Sequence, residues 1–358
     1  MKTENKATLV VITLIIMIAC LLNVFESKAQ EFNQFNATNM LYNPAFAGSL
    51  IDGRLSIDER IERNHNYMSS ALKGFTNRYY AGYDQYSSKL KGGIGVYITG
   101  HNDIDNYNKL YKQYNNDSTK ELNTYRTNSF DINIAYAPKI KLSDKFTLSP
   151  AINFNFNTNS ESSRYTKYNY STENNENHEY IAIDNIGAGV SFGLLLNARN
   201  FYLGLSTSNC LYFNKQHWHE EDFWNSSNFT DGYYFTQTDF SRILDLNLQS
   251  SYTFKFKNKD IAITPSIMMK FGQELLPYTA EPTYGKYGLR ELFISTNIKY
   301  KKLELGIGIR TNYGLIGQIA YNIKNLRIGY SIALDPFKNN QFSHELSIRY
   351  IIKDRANN

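Results

Sequence analysis

The sequence predicts an all-β fold, a transmembrane antiparallel outer-membrane β-barrel of about fourteen strands. Three observations predict it. Apolar and polar residues alternate with a period of two along many segments. Those segments are longer than the strands of soluble proteins. The connections between them alternate between short and long.

The alternation is clearest from Phe146. Phe146, Leu148, Pro150, Ile152, Phe154 and Phe156 form one row, and Thr147, Ser149, Ala151, Asn153 and Asn155 form the other. Leu244, Leu246, Leu248, Tyr252, Phe254 and Phe256 repeat the pattern against Asp245, Asn247, Gln249, Ser251, Thr253 and Lys255. Leu326, Ile328, Tyr330, Ile332 and Leu334 repeat it again. Period two gives each strand one apolar and one polar face. Leu246, Leu248, Ile328 and Ile332 are therefore expected on lipid, and Asn247 and Gln249 in the lumen. The polar rows are rich in Asn, Ser, Gly and Thr, which suits a wet interior, and aromatic residues end several apolar rows as an interfacial girdle would.

The segments fall near 54–63, 72–86, 91–100, 126–141, 145–158, 183–198, 201–213, 239–257, 259–272, 290–300, 302–312, 314–323, 325–335 and 341–352. Many have about 10 residues or more, where soluble strands average about 5 or 6 and membrane strands need about 9 to 11. After even-numbered segments the connections are short, as at Leu142-Ser143-Asp144, Arg199-Asn200 and Lys324. After odd-numbered ones several are long: 101–125, 159–182, 214–238 and 273–289. Short periplasmic turns and long outer loops are the rule for outer-membrane barrels with both termini in the periplasm. A soluble sandwich has no reason to sort its loops this way.

Composition agrees. Aromatic residues make up 15% of the 358, with Tyr 29 and Phe 22 far above Trp 2. Such an excess fits rings anchored at a membrane–water boundary. The net charge of +5 comes from basic residues scattered among acidic ones, so no nucleic-acid footprint is present.

The N-terminus reads as a leader. Lys2 and Lys6 precede an apolar run from Ala7 to Leu22, and Ser27-Lys28-Ala29 supplies small residues at −3 and −1. These are the parts of a cleaved signal peptide. The run is too short for a transmembrane anchor, which prefers about 20 apolar residues. A lipoprotein signal ending at Cys20 is the rival, but Met17 fits its first position poorly and Leu21-Leu22 continue the apolar run. The chain then divides into signal peptide 1–29, an N-terminal periplasmic or plug segment 30–53, the barrel 54–352 and a tail 353–358. Past the leader only Cys210 remains, so neither an internal disulfide nor a cysteine zinc site is expected.

The segment before the first strand reads Phe32-Asn33-Gln34-Phe35, a spacer, then Met40-Leu41-Tyr42-Asn43-Pro44-Ala45-Phe46-Ala47-Gly48-Ser49. It resembles the start of the PorP/SprF family of type IX secretion and gliding motility, which runs Phe-x-Gln-Tyr, a spacer, then Tyr-Asn-Pro-Ala-Tyr-Ala-Gly-Ser. Phe35 and Phe46 stand in place of Tyr, and Thr38 stands where Asn is usual. Ser343-His344-Glu345-Leu346-Ser347-Ile348-Arg349-Tyr350 is similar to the family's last strand, which commonly carries a His-Glu pair. The residues after Tyr350 depart from it, because many barrels end close to an aromatic.

The resemblance implies an outer-membrane barrel supporting export or surface anchoring of large adhesin-like cargo. The implied partners are membrane lipid, secreted cargo with a C-terminal sorting domain, and periplasmic and outer-membrane type IX secretion components, with no nucleic acid. A passive diffusion channel or apolar-solute transporter is the alternative compatible with the same strand count. Asn43-Pro44 is a turn dipeptide, and Ala45, Ala47 and Gly48 permit close packing. Asn43, Pro44, Ala45, Phe46, Ala47 and Gly48 thus read either as a turn or plug leading into the first strand, or as a partner contact.

No enzyme is expected. The sequence has no Gly-x-Ser-x-Gly and no Gly-rich phosphate loop, so no catalytic residue and no cofactor are assigned. His217-Trp218-His219-Glu220-Glu221-Asp222 mixes metal-ligating types in an outer loop, but a site needs a defined ligand set, and none is assigned there. Trp224, Phe229, Tyr233, Tyr234 and Phe235 point to a partner-binding outer surface. Asp117-Ser118-Thr119 fits a short O-glycosylation pattern.

Overall fold

A computed structural model of the chain describes residues 32–34, 37–50, 52–64, 73–112, 118–169, 174–220, 233–241, 245–256, 260–275, 284–311, 314–335 and 341–353. The leader, Cys20, the end of the tail, Asp117, Glu221, Asp222, Trp224 and Phe229 lie outside the described residues.

Fourteen strands follow one another around the barrel. They are β1 (Gly53–Asn64), β2 (Lys73–Ser87), β3 (Gly92–Lys112) and β4 (Ser118–Pro138, continued by Ile140–Lys141). Next come β5 (Phe146–Asn169), β6 (Asn174–Ala198), β7 (Phe201–Glu220) and β8, made of Tyr233–Ser241, Asp245–Tyr252 and Phe254–Phe256. The last are β9 (Ile261–Leu275), β10 (Tyr284–Tyr300), β11 (Leu303–Arg310), β12 (Gly314–Ile323), β13 (Leu326–Asp335) and β14 (Gln341–Ile352). Every neighbouring pair is antiparallel, and β1 closes the ring on β14, from Gly53 opposite Ile352 to Arg63 opposite Phe342. Closure leaves the wall no edge within the bilayer, where an unpaired backbone would be costly.

The two faces fall as the alternation requires. On β14, Leu346, Ile348 and Tyr350 are exposed outward, while Ser343, Glu345 and Ser347 are buried inward. On β8, Asn247 and Gln249 are buried in the lumen, and Leu246 and Leu248 are half-exposed on the outside. Ile328 is exposed on the outer face with Tyr330 and Leu334. Among the described residues no helix is long and apolar enough to cross a membrane; the crossing is made by strands.

The connections after even-numbered strands are all short and share one end, among them the turns after Ser87, Ala198, Tyr300 and Ile323. The long connections need correction. Most of 101–125, 159–182, 214–238 and 273–289 is strand, so β5 reaches 24 residues and β6 reaches 25. His217, Trp218, His219 and Glu220 belong to β7, and Tyr233, Tyr234 and Phe235 to β8, rather than to a loop. Beyond the bilayer both faces of a hairpin meet water, so apolar alternation ends while the backbone ladder goes on pairing. Thr158 to Asn169 pairs along its length and carries no apolar row.

Candidate functional site

The lumen is occupied by the chain's own N-terminal segment. From Asn39 to Tyr42 it forms one helical turn, and from Pro44 to Phe46 a 3-10 turn. Asn43 caps the second turn: its side chain accepts the Ala45 N–H at 2.9 Å, and Pro44 follows where a missing N–H costs nothing. Asn33, Thr38, Asn43, Ala45 and Ala47 are wholly buried, a degree of enclosure that identifies a plug rather than a lining.

One wall receives the segment through glycines. A Cβ on Gly193 of β6 would overlap Asn43 Oδ1, and one on Gly204 of β7 would lie 2.8 Å from Asn43 Nδ2. The Asn43 amide fills that notch and donates to the carbonyls of Leu194 and Leu205, at 3.2 and 3.4 Å. Gly93 and Gly95 on β3 open a second notch. A Cβ on Gly93 would strike the Ala47 carbonyl, and one on Gly95 the Met40 sulfur. Gly48 itself has φ of 56°, the left-handed region that glycine favours, and its N–H donates to Asp84 at 2.8 Å. Phe46 packs edge-on against Tyr202 at 5.2 Å between ring centroids.

The opposite wall holds the segment through charge. Glu345 on β14 accepts the backbone N–H groups of Asn33 and Gln34, at 2.5 and 2.6 Å. Gln318 donates to the Asn33 carbonyl at 2.8 Å, and Arg310 to the Phe32 carbonyl at 3.1 Å. The Gln34 side chain accepts from Ser347 and Arg327 above Gly329, where a Cβ would displace it. Arg310 also pairs with Glu291, and Arg54 with Asp84, both ion pairs buried. Removing one member of such a pair leaves an uncompensated charge, costing about 3–5 kcal/mol.

A family model described as type IX secretion system membrane protein PorP/SprF matches residues 118–350, more than half of the chain. The chain belongs to the PorP/SprF family. No curated protein matches it. Among solved structures it is similar to the P. putida toluene transporter TodX, with 13% identity, 87% of this chain and 93% of that chain covered, and a TM-score of 0.49. It is also similar to the Ralstonia pickettii toluene transporter TbuX (9% identity, 88% and 93% covered, TM-score 0.46). A third is the translocator domain of the autotransporter NalP from Neisseria meningitidis (9%, 85% and 90%, TM-score 0.43).

The matched region begins at residue 118, after the N-terminal motif, yet the two are one device in this PorP/SprF barrel. Its place is the outer membrane. Asn43, Pro44, Ala45, Phe46, Ala47 and Gly48 are brought together, all buried against the lumen wall. Of the His-Glu pair in β14, Glu345 faces the plug, while His344 turns outward beside Tyr330. Reading the sequence missed Glu345, Arg310 and the notch glycines as one site. The signal within reach was a carboxylate on a lumenal row of β14, next to a resemblance already noted. Among the described residues no three His, Cys, Asp or Glu side chains group as a metal site.

Above the plug a cavity of about 250 Å³ remains. Phe32, Leu41, Tyr42 and Pro44 of the plug form its floor. Its walls are polar, with Asn133, Asn153, Asn155 and Asn247 prominent, and Arg78, His101 and Asp131 as charged or titratable groups.

Proposed function

We propose that this barrel is a docking component of type IX secretion that supports export or surface anchoring of large adhesin-like cargo, with no catalytic step of its own. The observation that carries this reading is the plug. A lumen crossed by a segment with glycine notches on one wall and a carboxylate clamp on the other suits a closed scaffold better than a diffusion channel. The alternative, a passive channel or apolar-solute transporter, would need a continuous route, whereas the plug packs directly on wall residues such as Tyr80, Leu195, Phe293 and Ile316, and the cavity above it is lined mostly by polar and charged side chains. The implied partners are cargo bearing a C-terminal sorting domain on the outer side and secretion components on the periplasmic side.

A strain lacking this protein tests the reading. Loss of one or a few large surface proteins, with outer-membrane permeability to small solutes unchanged, is the expected result. Normal surface proteins with slowed uptake of a small solute would replace the docking reading by the channel reading.

A further inference from the structure

Strand β5 carries asparagine at four successive lumenal positions, Asn153, Asn155, Asn157 and Asn159, with Phe154, Phe156 and Thr158 exposed on the outer face between them. Asparagine is among the residues least suited to strands, because its short amide competes with the backbone. A wet lining alone would be served as well by Ser or Thr. The deepest two line the cavity above the plug, where Asn153 and Asn155 are 97% and 93% buried. Neither side-chain carbonyl has a partner, although the Asn153 amide donates to Asn133 at 3.0 Å. Asn247, across the cavity and 96% buried, also has an unpartnered carbonyl, and so does Asn159 higher on the same strand.

We infer that this asparagine ladder binds an extended, uncharged polypeptide segment by its backbone, the segment entering from the outer mouth and ending on the plug. The inference rests on the docking function proposed above and names the chemistry by which the cargo side would be held. Spacing carries it. Side chains two apart on a strand are about 6.6–6.8 Å apart, twice the rise per residue. An extended chain presents the N–H and C=O of one residue on the same side at that same two-residue interval. An asparagine amide carries one acceptor oxygen and two N–H groups, so Asn153 and Asn159, whose NH₂ groups donate to Asn133 and Glu161 at 3.0 Å, still present a carbonyl and a second N–H complementary to that pair. The match holds whichever way an individual amide is turned, since the peptide also offers both a donor and an acceptor.

The plug makes the cavity a dead end, so the occupant is a chain terminus or a tight loop tip rather than a threaded strand. Floor residues Phe32, Leu41 and Pro44 offer it an apolar seat. A sugar could satisfy the same amides, but it has no 6.7 Å repeat (about twice the strand rise) to account for four successive asparagines.

The test uses the full barrel, purified in a detergent without a sugar headgroup. The probe is a dye-labelled heptapeptide of alternating Gly and Ser, read by fluorescence polarisation. Saturable binding is expected, weakened about fivefold to tenfold by Asn155→Leu and again by Asn159→Leu, as loss of one hydrogen-bonded pair each implies. Asn155→Asp, which keeps size but loses the donor, should weaken it similarly. The same peptide N-methylated at alternate residues should not bind, and maltotriose should not compete. Heat-modifiable migration on a gel checks that each variant is folded. Binding of the N-methylated peptide equal to the parent, displacement by maltotriose, or no saturable binding would each overturn the inference. Failure here together with lost surface cargo in the deletion strain leaves the docking function standing. Peptide binding together with normal cargo in that strain removes the function and keeps the ladder.

Discussion

Asn43 and Gly193 occupy one volume: the amide of the first sits where a side chain on the second would be. The plug and the wall were therefore shaped together, 150 residues apart in sequence (193 − 43). Replacing Gly193 by Val should unseat Asn43 and leave the barrel folded, because valine suits a strand. The expected outcome is ion conductance in planar bilayers well above that of the closed parent. Parent-like closure with unchanged heat-modifiability would show that Asn43 does not hold the plug.

Glu345 anchors the other end of the plug. Glu345→Ala leaves two buried N–H groups unpaired and should weaken plug docking by about 3–5 kcal/mol, with Glu345→Gln milder. Chymotrypsin should then cut within residues 32–46 of the Ala variant in folded barrels and spare the parent. Equal protection of parent and Ala variant would discount the clamp.

Phe46→Ala removes the ring packed on Tyr202, and Gly48→Val forces a side chain onto the Gly93 backbone. Both should leave folded barrel in the outer membrane while surface cargo, detected by antibody on whole cells, falls. Normal cargo display in both variants would separate this segment from secretion.

On β8 the lumen-facing pair is not uniform. Asn247 lines the open cavity, whereas Gln249 is wholly enclosed beside Gly204. Leu248→Arg should cost about 2–4 kcal/mol near the bilayer midplane, while Asn247→Arg should be mild. Gln249→Arg, expected to be tolerated from alternation alone, should instead disturb the plug. Folding yield in lipid ranks the three, and equal yields for Leu248→Arg and Asn247→Arg would contradict the register.

Orientation is checked by tags. An epitope inserted at position 115, between β3 and β4, should be labelled on intact cells, and one between Lys301 and Lys302 should not. The reverse pattern would invert the barrel.

The apolar rows of the strands, their faces and the short turns after even-numbered strands were legible because a bilayer imposes period two and a minimum strand length on any chain that crosses it as strands. Phe154 and Phe156 outside and Asn153 and Asn155 inside follow from that rule alone. The hairpin arms beyond the apolar rows escaped it, since the stretch from Thr158 to Asn169 carries no apolar row to mark it as strand. The N-terminal motif was legible as a tight turn from Asn43-Pro44, but its destination was not.

What the sequence determined by itself is the wall: local alternation and turn chemistry act between near neighbours and need no knowledge of the rest of the fold. What only the tertiary structure decided is the lock inside it. Asn33 meets Glu345 across 312 residues, and Asn43 meets Gly193 and Gly204 on two strands. Such contacts exist only once β1 has paired with β14, because closing the ring is what turns scattered glycines and one carboxylate toward a shared interior.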